Sequence, residues 1–330
     1  MRYLSILFFI FLPVMIYSQD GNDSYDFLRL PSSAHIGALG GYNVSIVERD
    51  PSTVFHNPAL LGGEMDGMIN VNYLNYISDI NAGSAIFTKA IKERGALAVG
   101  VTYINYGTFK EASPEDVVLG TFSAQDMALQ ATYSYDLSDK WRGGLSLKAL
   151  YSTLADYSSF GLAVDAGLSY FDPEKDLAFG LVLNNIGAQL KAYDTERQKT
   201  PWDIRMGLTW RLAHAPFRIS VTGMYLNRWK LNYIDKTTTE NDDNFIQTAF
   251  KHLVFGIDFV PSDNFWVGAG FNPKTNADMK LMEGNGLGGF SAGAGFKVSR
   301  FNVGVSYAKY HPSASSLMVS VAIRLSNEEL

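Results

Sequence analysis

The side chains best suited to acid–base chemistry are five histidines, and they are scattered along the chain. Only His252 begins a predicted β-strand, on the same inward-facing row as the carboxylate of Asp258. At about 3.3 Å per residue along a strand, the two side chains lie about 20 Å apart, too far for proton transfer. The sequence therefore predicts no acid–base pair among His35, His56, His214, His252 and His311.

Motifs of enzyme and cofactor sites are also missing. The sequence has no His-Glu-x-x-His pair and no cysteine. Its Gly-x-Ser-x-Gly match at 289–293 lies inside a predicted strand, not at the strand-to-helix turn of a nucleophile elbow. The glycine-rich stretch 284–289 lacks the Lys-Ser/Thr of a phosphate-binding loop, so we interpret it as a surface loop. We therefore expect no catalytic residue, no cofactor and no metal. One alternative stays open: a serine and a histidine could pair across the molecule, as in outer-membrane phospholipases.

The segment 228–251 has the strongest binding potential, because it combines aromatic with acidic side chains. Such a mixture is typical of an interface centre surrounded by a polar rim. We predict that this segment contacts a protein partner. The alternative is that the aromatic rings pack on the rest of the molecule and leave a solvated loop. The candidate contacts are Trp229, Tyr233, Asp235, Asp242, Asp243 and Phe245.

The elements that must position these residues are short segments in which apolar residues alternate with small or polar ones. In 97–103 the apolar row is Leu97, Val99, Val101 and Tyr103, and the segment 160–170 repeats the pattern. Successive strand residues point to opposite faces, so this period of two predicts sheets that are apolar on one side only. The apolar side faces either a protein core or lipid.

The alternation predicts fourteen strands, most of them about 9–12 residues long, the length that a tilted strand needs to cross a bilayer. An even number lets a closed barrel keep both chain ends on one side. The expected fold is therefore an all-β, 14-stranded antiparallel transmembrane barrel. The predicted strands are 68–76, 80–90, 95–106, 126–136, 141–152, 159–171, 176–184, 203–212, 216–227, 252–260, 265–272, 288–298, 301–309 and 315–325.

The predicted connections sort by length, as in outer-membrane barrels with short periplasmic turns and longer external loops. A soluble sandwich gives no reason for this sorting. The even-numbered connections are tight, at 91–94, 137–140, 172–175, 213–215, 261–264 and 299–300. The long ones, 107–125, 185–202, 228–251 and 273–287, all fall among the odd-numbered connections.

Charged residues within the predicted strands lie opposite the apolar row. A charge facing lipid at mid-depth costs about 2–4 kcal/mol, so this separation favours a membrane barrel. The formal net charge of −6 argues against nucleic acid as a partner. The inward-facing charges are Arg142, Lys148, Asp165, Arg205, Arg211, Arg218, Asp258, Lys297 and Arg324.

The N-terminus predicts export, because Arg2 precedes an apolar run that ends at small and polar residues near Ser18. We assign residues 1–18 to a signal peptide and 68–330 to the barrel. The inward face is rich in Gly, Ala and Ser, which alone would leave a void in so large a barrel. We therefore assign residues 19–67, the plug, to the lumen, with a short helix near 32–39 and a helix start at Asp50–Pro51–Ser52.

Two motifs in the plug resemble the PorV/PorQ family of Bacteroidetes outer-membrane proteins. The first is the segment 27–41 (FLRLPSSAHIGALGG), and the second is 56–61 (HNPALL). A weaker echo, LNNIG, follows at 183–187. The resemblance spans essentially the whole mature chain, although the C-terminus lacks the terminal aromatic residue common in barrels. The motif residues that carry it are Arg29, Pro31, Gly40, Gly41, Asn57 and Pro58.

The resemblance implies a fourteen-stranded barrel similar to the FadL-type fatty-acid transporters. It also implies a part in type IX secretion, in an attachment complex with PorU, PorV and a PorZ-like surface protein. In that complex cargo is processed and joined to anionic lipopolysaccharide in the outer membrane. Two hypotheses follow: an anchor whose loops hold the surface partner, or a FadL-like transporter of hydrophobic small molecules.

Overall fold

The computed structural model describes residues 24–112, 118–229, 231, 244–281, 288–311 and 314–325. Fourteen antiparallel strands follow one another around a closed barrel, and the first strand pairs with the last. The predicted signal peptide, 1–18, lies outside the described residues. The strands are β1 (Met68–Ile77), β2 (Ile80–Ile91), β3 (Gly95–Ala112), β4 (Val118–Asp136), β5 (Trp141–Leu154), β6 (Tyr157–Asp172), β7 (Leu177–Lys191), β8 (Asp203–Arg211), β9 (Phe217–Gly223), β10 (Leu253–Ser262), β11 (Phe265–Phe271), β12 (Phe290–Val298), β13 (Phe301–His311) and β14 (Ala314–Arg324).

The number and order of strands confirm the predicted barrel, but some predicted loops are wrong. The segment 107–125 is largely strand, because β3 runs to Ala112 and β4 begins at Val118. Cross-strand packing supports this extension, since the rings of Phe109 and Phe122 stack with their centroids 5.2 Å apart. Polar and charged residues on this hairpin masked its strand character in the sequence.

Strand β7 also continues beyond its predicted end, to Lys191. Asn185 takes a left-handed conformation (φ 58°), and the register against β6 shifts here. Its backbone N–H donates to the carboxylate of Asp165 at 2.7 Å. The strand therefore passes an irregularity that breaks the alternation in the sequence. By contrast β9 ends early, at Gly223, because Tyr225 turns the chain with φ 58°.

The two faces of the wall follow the predicted alternation. On β3 the side chain of Val99 is 56% exposed, whereas that of Ala98 is 3% exposed. The outward row thus forms an apolar exterior suited to lipid. Several predicted inward charges are fully buried in the lumen as ion pairs: Lys148 with Asp165 (2.6 Å), and Arg205 with Asp203 (2.6 Å).

The connections differ between the two barrel ends. One end, the short-turn end, carries the connections 92–94, 137–140, 173–176, 212–216, 263–264 and 299–300. The opposite end, the long-loop end, carries 192–202, 224–252 and 272–289 together with tight hairpins at 78–79 and 155–156. In outer-membrane barrels the short turns face the periplasm.

Helices are few and short. The plug contains α1 (Ala34–Ala38) and 3-10 turns at Asp26–Arg29, Pro51–Phe55, Pro58–Leu60 and Gly63–Met65. The predicted start at Asp50 is confirmed, since its side chain accepts a hydrogen bond from the Ser52 N–H (3.0 Å) and Pro51 follows. The long-loop end adds α2 (Phe245–Lys251) and α3 (Pro273–Leu281). None of the helices in the described ranges is long and apolar enough to span a bilayer.

The plug fills the lumen by lying against inward-facing glycines. Helix α1 packs on β11 to β14, and the turn Pro58–Leu60 packs on β4, β5 and β6. A Cβ atom at Gly100 would come within 2.8 Å of the Phe55 ring, and one at Gly144 would clash with the backbone of Pro58. These glycines therefore let the plug approach the wall more closely than any side chain would allow.

The adjacent glycines of β5 test this packing, because they face opposite sides of the wall. An added Cβ at Gly144 meets the plug backbone, whereas at Gly143 the nearest atom is a Leu137 methyl 3.5 Å away. We expect Gly144→Ala to lower the free energy of unfolding in detergent by about 1–3 kcal/mol, as overpacking does. The matched Gly143→Ala should be almost neutral in the same urea titration. Equal losses in the two variants would contradict a plug seated against β5.

Candidate functional site

The second plug motif is built around Asn57, which is fully buried. Its side-chain oxygen accepts the Ala59 N–H (3.0 Å), so it caps the 3-10 turn that begins at Pro58. Its side-chain amide donates to the carbonyl of Val44 (2.8 Å). A Cβ at Gly167 would clash with the Asn57 side chain. The motif therefore joins two plug segments at the β6 wall.

The first motif ends α1 at a glycine pair. Gly40 and Gly41 both have positive φ, +93° and +86°, a conformation that glycine adopts without strain. The Gly40 N–H donates to the Ser291 hydroxyl (2.9 Å), which in turn donates to the carbonyl of Ala38 (2.8 Å). The helix end is thereby fixed to β12.

Arg29 and Pro31 lie at the start of the plug. Pro31 is buried, and Arg29 forms an ion pair with Asp26 at 2.6 Å. The Arg29 guanidinium also stands 5.5 Å from the ring centroid of Tyr225 in the connection between β9 and β10. The beginning of the plug is therefore joined to the long-loop end.

A buried ionic cluster joins α1 to the wall. One ring nitrogen of His35, Nδ1, lies 2.8 Å from the Glu48 carboxylate, and the other, Nε2, lies 3.0 Å from the Asp258 carboxylate. Asp258 also accepts from Nε of Arg218 at 3.0 Å. The His35 ring stacks on Trp266, with centroids 3.8 Å apart and planes 9° apart. We call these five residues the His35 cluster.

The His35 cluster contains a contact between a histidine and a carboxylate that the sequence did not predict. The sequence placed Asp258 on the row of His252, but its histidine partner is His35, 223 residues away. His252 instead faces two backbone carbonyls, those of Met224 (2.8 Å) and Trp229 (3.2 Å). The pairing with Asp258 depends on strand tilt and on where the plug docks, neither of which leaves a local signal in the sequence.

The pKa values of the two plug histidines, His35 and His56, shift in opposite directions. Burial opposes the charged form of His35, but the Glu48 and Asp258 carboxylates outweigh it and raise the pKa of His35 to about 9. Burial, with the charges of Arg205 and Lys148, lowers the pKa of His56 to about 3. The neutral His56 ring accepts the Ser32 N–H at 3.2 Å. Each ring nitrogen of His35 faces a carboxylate, so the geometry serves docking of the plug better than proton transfer.

The predicted partner-binding residues lie at the long-loop end, as far as the structure describes them. Trp229 stacks on Phe245 (4.9 Å) and on His252 (5.3 Å). Tyr233, Asp235, Asp242 and Asp243 lie outside the described residues. The structure thus brings together the two aromatic candidates that it describes.

Helix α2 presents an apolar patch to the outside. Phe245 and Ile246 are 73% and 78% exposed, the highest values among the large apolar side chains described. Phe250 packs at 5.4 Å on Phe255, which lies on the outward side of β10. The aromatic patch, which we define as Leu226, Trp229, Phe245, Ile246 and Phe250, therefore adjoins the lipid-facing wall.

Sequence reasoning missed a cluster of cations around Tyr225. Besides Arg29, the side chains of Arg228 (4.6 Å) and Lys274 (5.9 Å) lie over its ring. The Tyr225 N–H donates to Asp203 at 2.7 Å, and its hydroxyl lies 3.3 Å from that of Tyr42 in the plug. The plug, the β9–β10 connection and α3 meet here. Tyr225 gave no signal beyond its aromatic character.

Metal ligands do not converge in the described part of the chain, where no group of three or more His, Asp or Glu side chains could hold an ion. The charged side chains in the lumen instead pair with one another, as in the His35 cluster and the pair of Lys148 with Asp165. The arrangement can hold the plug in place and present the aromatic patch.

The raised pKa of His35 predicts alkaline destabilisation. The pKa of His35 is about 9 in the folded state and about 6.5 in the unfolded state. This difference stabilises the folded state fully below pH 6.5, and the stabilisation is lost as the pH rises through about 9. We expect the unfolding free energy in detergent to fall by up to roughly 3 kcal/mol across this window. His35→Gln should remove most of this dependence. His214→Gln, in an exposed turn, is the control, and an unchanged pH profile in His35→Gln would refute the assignment.

Comparison with known proteins supports the fold. No protein-family model matches the sequence, and no curated protein matches it. Solved structures do match. The Pseudomonas putida toluene transporter TodX matches at 9% identity and a TM-score of 0.52, over 89% of this chain and 97% of TodX. A Pseudomonas aeruginosa FadL homologue matches at 10% identity and TM-score 0.52 over 90% and 98%. The TodX deltaS2S3 mutant matches at 10% identity and a TM-score of 0.55, over 89% of this chain and 99% of the mutant chain.

These similarities cover nearly the whole length of both chains, at identities too low to carry more than the fold. Together with the lipid-facing apolar exterior and the plug-filled lumen, they agree with the barrel derived above. The chain is an outer-membrane β-barrel with the FadL-type fold.

Proposed function

We propose that this barrel is a membrane anchor for a surface protein in the type IX secretion attachment complex. The role is that of PorQ in the family whose plug motifs the sequence resembles. Its loops would hold a PorZ-like partner beside PorU and PorV while cargo is joined to anionic lipopolysaccharide. The motif residues Asn57, Pro58, Gly40 and Gly41 carry the resemblance, and all four lie in the plug.

The observation that best supports an anchor is the aromatic patch at the long-loop end. Two large apolar side chains on one helical turn, Phe245 and Ile246, face outward at 73% and 78% exposure. Exposed apolar clusters of this kind mark contact surfaces with proteins or membranes. Stacking of Trp229 on Phe245 holds the patch in one arrangement, which lowers the entropic cost of binding.

The filled lumen supports the same proposal. Plug residues contact inward glycines on both sides of the barrel, and the His35 cluster fixes α1 to β9, β10 and β11. A transporter would have to displace these contacts for each molecule that passes. An anchor instead gains from them, because a rigid barrel positions its external loops.

A second candidate function, transport of hydrophobic small molecules, is favoured by the structural neighbours. Both a toluene transporter and a FadL homologue share the fold. In this case the plug would shift to open a path through the barrel or its wall. Uptake of a labelled apolar compound into liposomes that contain the purified barrel distinguishes the two functions, since an anchor supports none.

The patch provides the direct test of anchoring. Phe245→Asp with Ile246→Asp should abolish co-purification of the surface partner in a mild-detergent pull-down from native membranes and release that partner into the medium. Two buried charges without partners make such an interface unfavourable. The barrel itself should remain at its normal level, because neither side chain is buried.

The matched control is Leu137→Asp, which changes a leucine with 57% exposure in a turn at the opposite end of the barrel. It should leave the partner bound. Retention of the partner by the patch variant would remove the patch as the contact. Liposome uptake by the wild-type barrel, with no partner captured, would favour the transporter instead.

A further inference from the structure

We propose that the short-turn end contains a second binding site, which takes an acidic peptide segment of a periplasmic protein. The site is a cavity of about 840 Å³ on the opposite side of the plug from the long-loop end. Its volume falls in the range of about 300–1,000 Å³ typical of ligand-binding pockets. It is independent of the anchor function, because it uses none of the patch residues.

The cavity has a rigid floor and a wall made of turns. The floor is the plug segment 47–50 together with His35, and the wall comes from the turns between β6 and β13 and the end of β14. Trp266, which stacks on His35, forms part of the lining. The opening therefore lies among the short turns, which face the periplasm in an outer-membrane barrel.

Some of the lining charges are already paired within the floor. Glu48 contacts His35 and Arg218, at 2.8 and 3.7 Å. Asp50 is buried and accepts hydrogen bonds from Ser33 (2.8 Å), Ser52 and Asn70 (3.0 Å). Both carboxylates are therefore held by contacts within the floor.

Cations outnumber carboxylates in the lining of the cavity. The whole lining carries six arginine and lysine side chains against four carboxylates, although the chain as a whole has a net charge of −6. One of these cations, Arg211, lies 3.6 Å from Asp263. A concave site between low-dielectric walls focuses such a field and attracts anions. The basic side chains are Arg49, Arg211, Arg218, Lys297, Arg300 and Arg324.

The spread of these cations favours a peptide over a single small anion. They come from the plug, from the end of β8, from β9, from β12 and the turn after it, and from the end of β14. One carboxylate reaches only a few of them, whereas successive Asp or Glu side chains reach them in turn. Arginine also binds carboxylates through two parallel hydrogen bonds, which adds to the affinity.

The test measures binding of fluorescein-labelled hexaglutamate to the full-length barrel in detergent by fluorescence polarisation. We expect saturable binding that weakens at high salt, and none for hexalysine. Arg49→Glu with Lys297→Glu should weaken binding at least tenfold. The control, Lys92→Glu with Lys175→Glu, reverses two charges in turns at the same end but outside the cavity, and should change binding less than twofold.

Folding of each variant is verified by the heat-dependent shift in gel mobility of a closed barrel. Failure of the wild-type barrel to bind hexaglutamate would overturn the proposal. Equal weakening by the cavity and control variants would do so too, because it would indicate non-specific attraction. Displacement of the peptide by free glutamate or inorganic phosphate at equal concentration would show a small-anion site instead.

Discussion

The rest of the structure depends on how the lumen of a fourteen-stranded barrel is filled. Strands of this number enclose more space than inward side chains can occupy, so a separate segment must pack inside. The chain meets this requirement with a plug whose Phe55 ring and Pro58 backbone lie against inward glycines on β3 and β5, where a side chain would clash. The same glycines weaken the strands individually, and the plug compensates through close packing.

Each charged side chain buried in the lumen must also have a partner of opposite charge. A charge away from water is tolerated only with partners, and removal of one partner leaves the other unpaired. Lys148 pairs with Asp165 within the wall, whereas His35 with Glu48 and Asp258 joins the plug to the wall. The plug and the wall therefore stabilise each other electrostatically as well as sterically. His35 and Glu48 of this cluster also form part of the floor of the cavity at the short-turn end.

Much of this fold could be predicted from the sequence, because the bilayer imposes a strict alternation on each strand. The alternation correctly predicted which side of the wall Leu97, Ala98 and Val99 face. The capping residue Asp50, followed by a proline, correctly predicted a helix start. The strand extensions were missed where charged residues or the irregularity at Asn185 interrupted the alternation.

The candidate sites were less predictable, because they form between residues far apart in the chain. Trp229 and Phe245 could be recognised by composition, and their stacking confirms that they are neighbours. The contact between His35 and Asp258 spans 223 residues and depends on strand tilt, register and plug docking. The cavity likewise collects cations from the plug and from several strands that only barrel closure brings together. Periodicity describes one strand at a time and cannot reveal such contacts.

The central claim, that the plug lies inside the barrel against the wall, is tested most directly by a disulfide. The chain has no cysteine, and a Cβ at Gly304 on β13 would lie 3.3 Å from that of Ala34, close to the separation of about 3.5–4.5 Å found in disulfides. Ala34→Cys with Gly304→Cys should form the bond in native membranes, as detected by mass spectrometry of linked peptides. Ala34→Cys with Ala178→Cys, six strands away around the ring, should not. Absence of the first bond in a folded barrel, or equal formation of both, would contradict the account.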